Sequence, residues 1–211
     1  MLEMTEEITN PRLVEWGVAA APLPGQTESG DGHFVQPLLH GALAAVVDGL
    51  GHGPEAAAAA RLAVETLRLH AGESVIAVVR FCHEALGRTR GVTLSAATFD
   101  ARQNTMTWLS VGDVEGVLLR GDPHARPVKE HLMQRGGVVG YQLPPLHPAV
   151  FRVAPGDTLV FATDGVRGGF ADHRLRLEDP PQTIADRILA GYGRKTDDAL
   201  VLVVRYLGGA A

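Results

Sequence analysis

Two apolar runs in this chain end in the same dipeptide. Residues 44–49 read Ala-Ala-Val-Val-Asp-Gly and residues 159–165 read Leu-Val-Phe-Ala-Thr-Asp-Gly, so Asp48 and Asp164 each close a strand-like stretch and are followed at once by glycine. A third acidic pair, Asp197-Asp198, opens the last apolar run, 199–204. An uncompensated carboxylate at the end of a buried strand is costly, so a cation is expected beyond it. Brought together by a sheet, three such ends would make an oxygen-rich pocket for hard divalent ions, Mg²⁺ or Mn²⁺ rather than zinc. Two ions about 3.5–4 Å apart can share a water, lower its pKa and neutralise the oxygens of a phosphoryl group. Gly49, lacking a Cβ, would let a main-chain carbonyl approach the metal. Each motif alone has a plainer reading. Asp-Gly, Asp31-Gly32 included, is the commonest short turn signal, and Asp197-Asp198 follows Arg194 and Lys195, which can neutralise it.

Other chemistries find no template. There is no Gly-x-x-x-x-Gly-Lys-Ser/Thr loop, no Gly-x-Ser-x-Gly elbow, no Gly-x-Gly-x-x-Gly after a first strand and no His-Glu-x-x-His among nine histidines. An aspartyl-phosphate mechanism would want a second aspartate two residues after the nucleophile, where Leu50 and Val166 stand. A net charge of −5 without a Lys/Arg run argues against nucleic acid and against an anionic membrane surface as partners. Cys82, the single cysteine, excludes an internal disulfide and fits a reducing compartment. Residues 1–10 are acidic and lack signal-peptide character, and no apolar run reaches the roughly 18 residues that span a bilayer, so a cytoplasmic protein is expected.

The elements that must position the carboxylates follow from periodicity and turn chemistry. Strands are expected over 14–21, over 34–39 and 41–47 as a pair turning at His40-Gly41, and over 92–99, 105–111, 114–119, 157–163 and 199–206. The polar stretch 26–33 reads as an exposed loop. Gly112-Asp113 reads as a tight hairpin between 105–111 and 114–119. Pro54 suits a first helical position, with Glu55 in the first turn of an alanine-rich helix over 55–70. A second helix over 74–88 carries Val75, Val79, Cys82 and Leu86 on one stripe. A last helix is expected from Asp179, with Pro180 at its first position, Gln182 in a capping box, and Ile184, Ala185, Ile188 and Tyr192 buried. The proline-rich segment 121–155 is irregular, with a short ordered piece at 136–140. Runs of strands and paired helices imply antiparallel sheets with helices packed outside.

The acidic motifs also carry a family resemblance. Residues 48–53, Asp-Gly-Leu-Gly-His-Gly before an alanine-rich helix, together with Phe-Ala-Thr-Asp-Gly-Val at 161–166 and Thr-Asp-Asp-Ala-Leu-Val-Leu-Val-Val at 196–204, resemble the signature of PP2C-type (PPM) metal-dependent serine/threonine phosphatases of the SpoIIE branch. The likeness spans about 14–206. The stretch Ser-Val-Gly-Asp-Val-Glu-Gly at 110–116 is similar to that of the branch's small stressosome phosphatases. This resemblance implies an α+β fold, a four-layer α/β/β/α sandwich of two antiparallel sheets flanked by helix pairs, and one minimal phosphatase domain over 1–211. It implies that Asp48 bridges two Mn²⁺ or Mg²⁺ ions, that Gly49 gives one of them its carbonyl, that Asp164 and Asp197 complete the ligand set, and that Asp31 anchors the second metal's shell, with Asp198 in support. Metal-activated water would attack phosphoserine or phosphothreonine in line, without a phosphoenzyme. Larger members place a histidine, a candidate general acid, where Leu50 stands here; His52, two residues on, could protonate the leaving alkoxide, and its plainer reading is a solvated loop histidine. They also carry an upstream arginine that grips phosphate, whereas the residues just before Asp31 include Gln26 and Glu28 but no arginine. The implied partners are phosphorylated STAS-domain proteins of a stressosome, met by a monomer. The alternative is a catalytically silent module that binds a phosphorylated or STAS-domain partner without hydrolysis.

Overall fold

The computed structural model describes residues 13–172 and 175–209, so the acidic segment 1–10 lies outside the described residues. Two five-stranded antiparallel sheets pack face to face. One has the order β1 (Val14–Ala21), β10 (Ala199–Tyr206), β9 (Thr158–Ala162), β6 (Glu115–Leu119), β7 (Lys129–His131). The other has the order β2 (Asp31–Leu38), β3 (Gly41–Gly49), β4 (Val92–Asp100), β5 (Thr105–Val111), β8 (Ala149–Arg152). Alternation decides what each strand buries. On β3, Ala42, Ala44 and Val46 face the layer between the sheets with Trp108, Phe161 and Leu202, while Leu43, Ala45 and Val47 face the helices. A strand covered on both sides reads as a continuous apolar run, and that run ends at Asp48.

Helices α1 (Pro54–Leu69) and α2 (Val75–Ala85) cover the second sheet through Ala59, Ala63, Val78, Val79 and Cys82. Burial raises the Cys82 thiol to about 12, so it serves as a packing group. Helix α3 (Pro181–Tyr192) covers the first sheet with Ile184, Ala185 and Ile188, helped by Phe170, Leu175 and Leu177 from the preceding segment. The layers are therefore α/β/β/α, as the family resemblance implies, but among the described residues a helix pair covers only one sheet and α3 covers the other alone. Among the described residues no helix is long and apolar enough to cross a membrane.

Four local expectations are corrected. Residues 31–33 belong to β2 rather than to the loop, because Asp31 to Leu38 pair with β3 throughout. Gly112-Asp113 does not close a hairpin: β5 pairs with β4 and β8, whereas β6 lies in the other sheet between β9 and β7. The chain crosses between sheets there, with Gly112 at φ +93° and its N–H donating to the Arg135 carbonyl at 2.8 Å. The last helix starts at Pro181 without a side-chain cap; Gln182 instead bonds β1, accepting from Val18 N–H (3.1 Å) and donating to its carbonyl (2.8 Å). Within 121–155 the chain forms β7 and β8, and its middle is tied down as expected by bridges of Val139 to Val92 and Val138 to Gln142.

Candidate metal centre

The register of β2 on β3 sets Asp31 directly opposite Asp48. Gly49 N–H donates to the Gly30 carbonyl (2.9 Å), which makes Gly30 and Gly49 a hydrogen-bonded pair and Asp31 and Asp48 the non-bonded pair next to it. Opposed residues of that kind have Cα atoms only about 4.5 Å apart and side chains on one face, here the gap between the sheets. Gly49 is required for packing: a Cβ there would collide with the Ala56 carbonyl of the first turn of α1. Gly165 plays the same part after Asp164, since a Cβ would strike the Asp198 carbonyl where β10 begins.

Two further groups shape the floor. Thr163, the last residue before Asp164, donates its hydroxyl to Asp31 (2.8 Å) and accepts from Leu200 N–H (2.9 Å). Asp198 is buried and accepts from Leu23 N–H (2.7 Å) and Gly30 N–H (2.8 Å). Both of its oxygens thus hold the loop that feeds Asp31, which suits its expected supporting place.

The electrostatics show crowded negative charge. Burial pushes the Asp31 carboxyl up to about 7, with Thr163 opposing and Asp198, Asp164 and Asp197 adding repulsion. Burial and repulsion by Asp31, Asp164, Asp113 and Asp197 push Asp48 up to about 9. At the exposed rim Asp164 is also raised, by burial, Asp197 and Asp113, against the lowering effect of Arg194. Among the described residues no lysine or arginine forms an ion pair with any of these aspartates.

The fold thus brings Asp31, Asp48, Asp164 and Asp197 to one end of the sandwich. It does not turn His52 toward them: His52 is exposed on the loop before α1, with Nδ1 3.1 Å from Gln26 Nε2. Asp113 joins the cluster although the sequence reading treats it as a turn residue. A signal for it is present, because Asp113 follows the strand 105–111 after a single glycine. Thr93 carried no such signal. It lies opposite Asp48 on β4, and its buried hydroxyl has no hydrogen-bond partner among the described residues.

This donor set fits hard divalent cations. Every charged donor is a carboxylate, the carboxyls are pushed toward neutrality by one another, and an orphaned hydroxyl faces the same gap. Among the described residues no three acidic, histidine or cysteine side chains are drawn tightly enough to form a ready-made ion site. The carboxylates lie close enough to repel one another without closing on a common point.

Comparison with known proteins agrees with this architecture. Residues 40–207 match the family model of Stage II sporulation protein E, SpoIIE. The chain is 30% identical over 94 residues to the phosphoserine phosphatase RsbX of Bacillus subtilis strain 168, covering 44% of this chain and 47% of that protein. The match thus spans about half the length of that curated relative. A chain solved in work on the bacterial stressosome, a modular system adapted to control secondary messenger signaling, superposes with a TM-score of 0.81 at 28% identity over 91% of this chain and 99% of its own. RsbX in complex with magnesium gives 0.80 at 20% identity over 92% and 95%. The PP2C phosphatase domain of SpoIIE from Bacillus subtilis gives 0.75 at 22% over 94% and 64%. At these last two identities it is the fold that is shared.

Proposed function

This chain belongs to the SpoIIE family, and on that premise we propose that it is a metal-dependent phosphoprotein phosphatase acting on phosphoserine or phosphothreonine. The observation that carries the reading is the pairing of Asp31 with Asp48 across β2 and β3, ringed by Asp113, Asp164 and Asp197 with no ion-paired lysine or arginine among the described residues. Asp31, Asp48, Asp164 and Asp197, with the Gly49 carbonyl, are the groups we assign to two Mn²⁺ or Mg²⁺ ions, and Asp113 adds a carboxylate at the rim. Bound ions supply a water of lowered pKa and positive charge for the phosphoryl oxygens.

The chain's own residues hold and orient. Thr163 fixes the Asp31 carboxylate and Asp198 fixes the loop before it. His52, exposed on the loop before α1 and turned to Gln26, is the histidine we assign to protonate the departing serine or threonine oxygen, which requires it to give up that contact.

Relatives support the same direction. RsbX is a phosphoserine phosphatase and has been crystallised with magnesium, and a structural neighbour comes from work on the bacterial stressosome; the substrates we propose are phosphorylated STAS-domain proteins of a stressosome. The chain would act on them as a monomeric, single phosphatase domain in the cytoplasm. The test is turnover of p-nitrophenyl phosphate and of a phosphorylated STAS-domain protein with Mn²⁺ or Mg²⁺ and after chelation. Metal-dependent release of phosphate is expected. Binding of the phosphoprotein without hydrolysis under any of these conditions would identify the silent module instead.

A further inference from the structure

We propose that the outer edge of β2 is a docking rail on which an extended, phosphorylated segment of the protein substrate pairs as an added strand, leading its phosphoresidue to Asp31. The inference rests on the phosphatase reading and adds how the substrate is held.

The hydrogen-bond parity of β2 defines the rail. Because Gly30 and Gly49 form a bonded pair, the register directs Gly32, Phe34 and Gln36 toward β3 and leaves Asp31, His33, Val35 and Pro37 facing outward. The Asp31 N–H is already taken by Ser29 Oγ (3.1 Å), and Pro37 has no N–H. The outward donors that remain are those of His33 and Val35, with their carbonyls, and among the described residues no strand pairs with this edge. The free ladder is short, blunted at both ends, and starts two residues from the acidic cluster.

The other long edge is treated differently. β1 is also terminal in its sheet, yet the Gln182 side chain occupies both the N–H and the carbonyl of Val18. An exposed edge invites strand addition, and proteins usually cover or blunt it. Here one edge is plugged and the other keeps two outward residues beside the site.

A cavity of about 290 Å³ lies between the β2 edge and α1, lined by Ser29, Asp31, Gly32, His33, Arg61 and Val64 among others. Its walls on the α1 side are Ala60, Arg61 and Val64, and a side chain of the added strand can enter against them. Added strands gain affinity from main-chain bonds and selectivity from such side-chain pockets. At about 3.3 Å per residue, a segment paired at His33 and Val35 reaches the carboxylates within two or three positions.

The variants are Val35→Pro, which removes an outward donor and leaves every bond to β3, and Val35→Ala, which loses the same packing but keeps the N–H. Substrates are p-nitrophenyl phosphate and a random library of phosphoserine peptides, with Mn²⁺. Val35→Pro should lower kcat/KM on the peptides about tenfold, the equivalent of one lost hydrogen bond, and leave p-nitrophenyl phosphate unchanged; Val35→Ala should change neither. Equal peptide turnover by Val35→Pro and the parent overturns the proposal. So does a parent dimer that Val35→Pro dissolves, since a second copy would then own the edge. If Val35→Pro also loses p-nitrophenyl phosphate turnover, amide hydrogen exchange on the Asp48→Asn protein decides: the phosphopeptides should protect His33 and Val35, and no protection rejects the rail. A parent protein inert toward p-nitrophenyl phosphate with every metal would count against the phosphatase reading, while the exchange experiment would still judge the docking.

Discussion

Strand β9 carries an aspartate at each end, and the two are handled in opposite ways. Asp157, just before it, is buried and fully engaged: Arg120 Nη1 donates to it at 2.7 Å, Gly121 N–H at 2.9 Å and Ala154 N–H at 3.1 Å, and the same arginine also pairs with Glu130. Asp164, just after it, forms no ion pair and faces Asp197 and Asp113. One end of the sandwich neutralises its carboxylates with a paired arginine, while at the other, among the described residues, the carboxylates form no ion pair and only Arg194 offsets their repulsion at Asp164. Stability alone explains the first arrangement and works against the second. On the proposed function, the second end is the place where a cation from outside the chain belongs.

Substitutions can break that contrast from either side. Asp48→Asn should reduce metal-dependent turnover by about a hundredfold or more, since even groups behind metal ligands are worth 10–100-fold; turnover equal to the parent would remove Asp48 from the chemistry. Arg120→Ala, at the paired end, should destabilise the fold by about 3–5 kcal/mol in urea melts, because it strands buried carboxylates. Activity per folded molecule should be unchanged.

The pH dependence of the metal-free protein separates the two ends further. The folded-state pKa values of Asp31 (about 7) and Asp48 (about 9) lie above the ordinary 3.8, so the folded protein holds these protons more tightly than the unfolded chain. Their contribution is present in full below pH 4 and is lost as pH rises through about 7 and then about 9. Thermal melts in chelator should therefore show Asp48→Asn gaining on the parent as pH rises from 5 to 9, and Mn²⁺ should cancel the parent's deficit. An identical pH profile for the two proteins would contradict the crowding of charge. The smallest effect is expected at Thr93. Thr93→Val removes a buried hydroxyl that has no partner among the described residues and should raise metal-free stability by about 1 kcal/mol in thermal melts.

Much of this frame is legible in the sequence because its signals are local. The apolar runs ending at Asp48 and Asp164 mark strands and their termini together, and Pro54 before an alanine run marks a helix start that the structure places at Pro54. Signals that depend on partners are not legible. Gly112-Asp113 satisfies a hairpin turn as well as a crossing between sheets, and only the pairing of β6 with β9 decides between them. Gln182 fits a capping box by spacing, yet the backbone of Val18, distant in sequence, competes for its amide and wins. Thr93 is an ordinary strand residue until register sets it opposite Asp48. Asp31 falls in a polar loop by composition and becomes a strand residue through its pairing with β3.

The most direct test of the central claim is anomalous scattering from crystals soaked in Mn²⁺. The account predicts manganese peaks in the gap between the sheets, coordinated by Asp48 with Asp31, Asp164 and Asp197. A lattice that takes up manganese only elsewhere, or leaves that gap empty at saturating Mn²⁺, would contradict it.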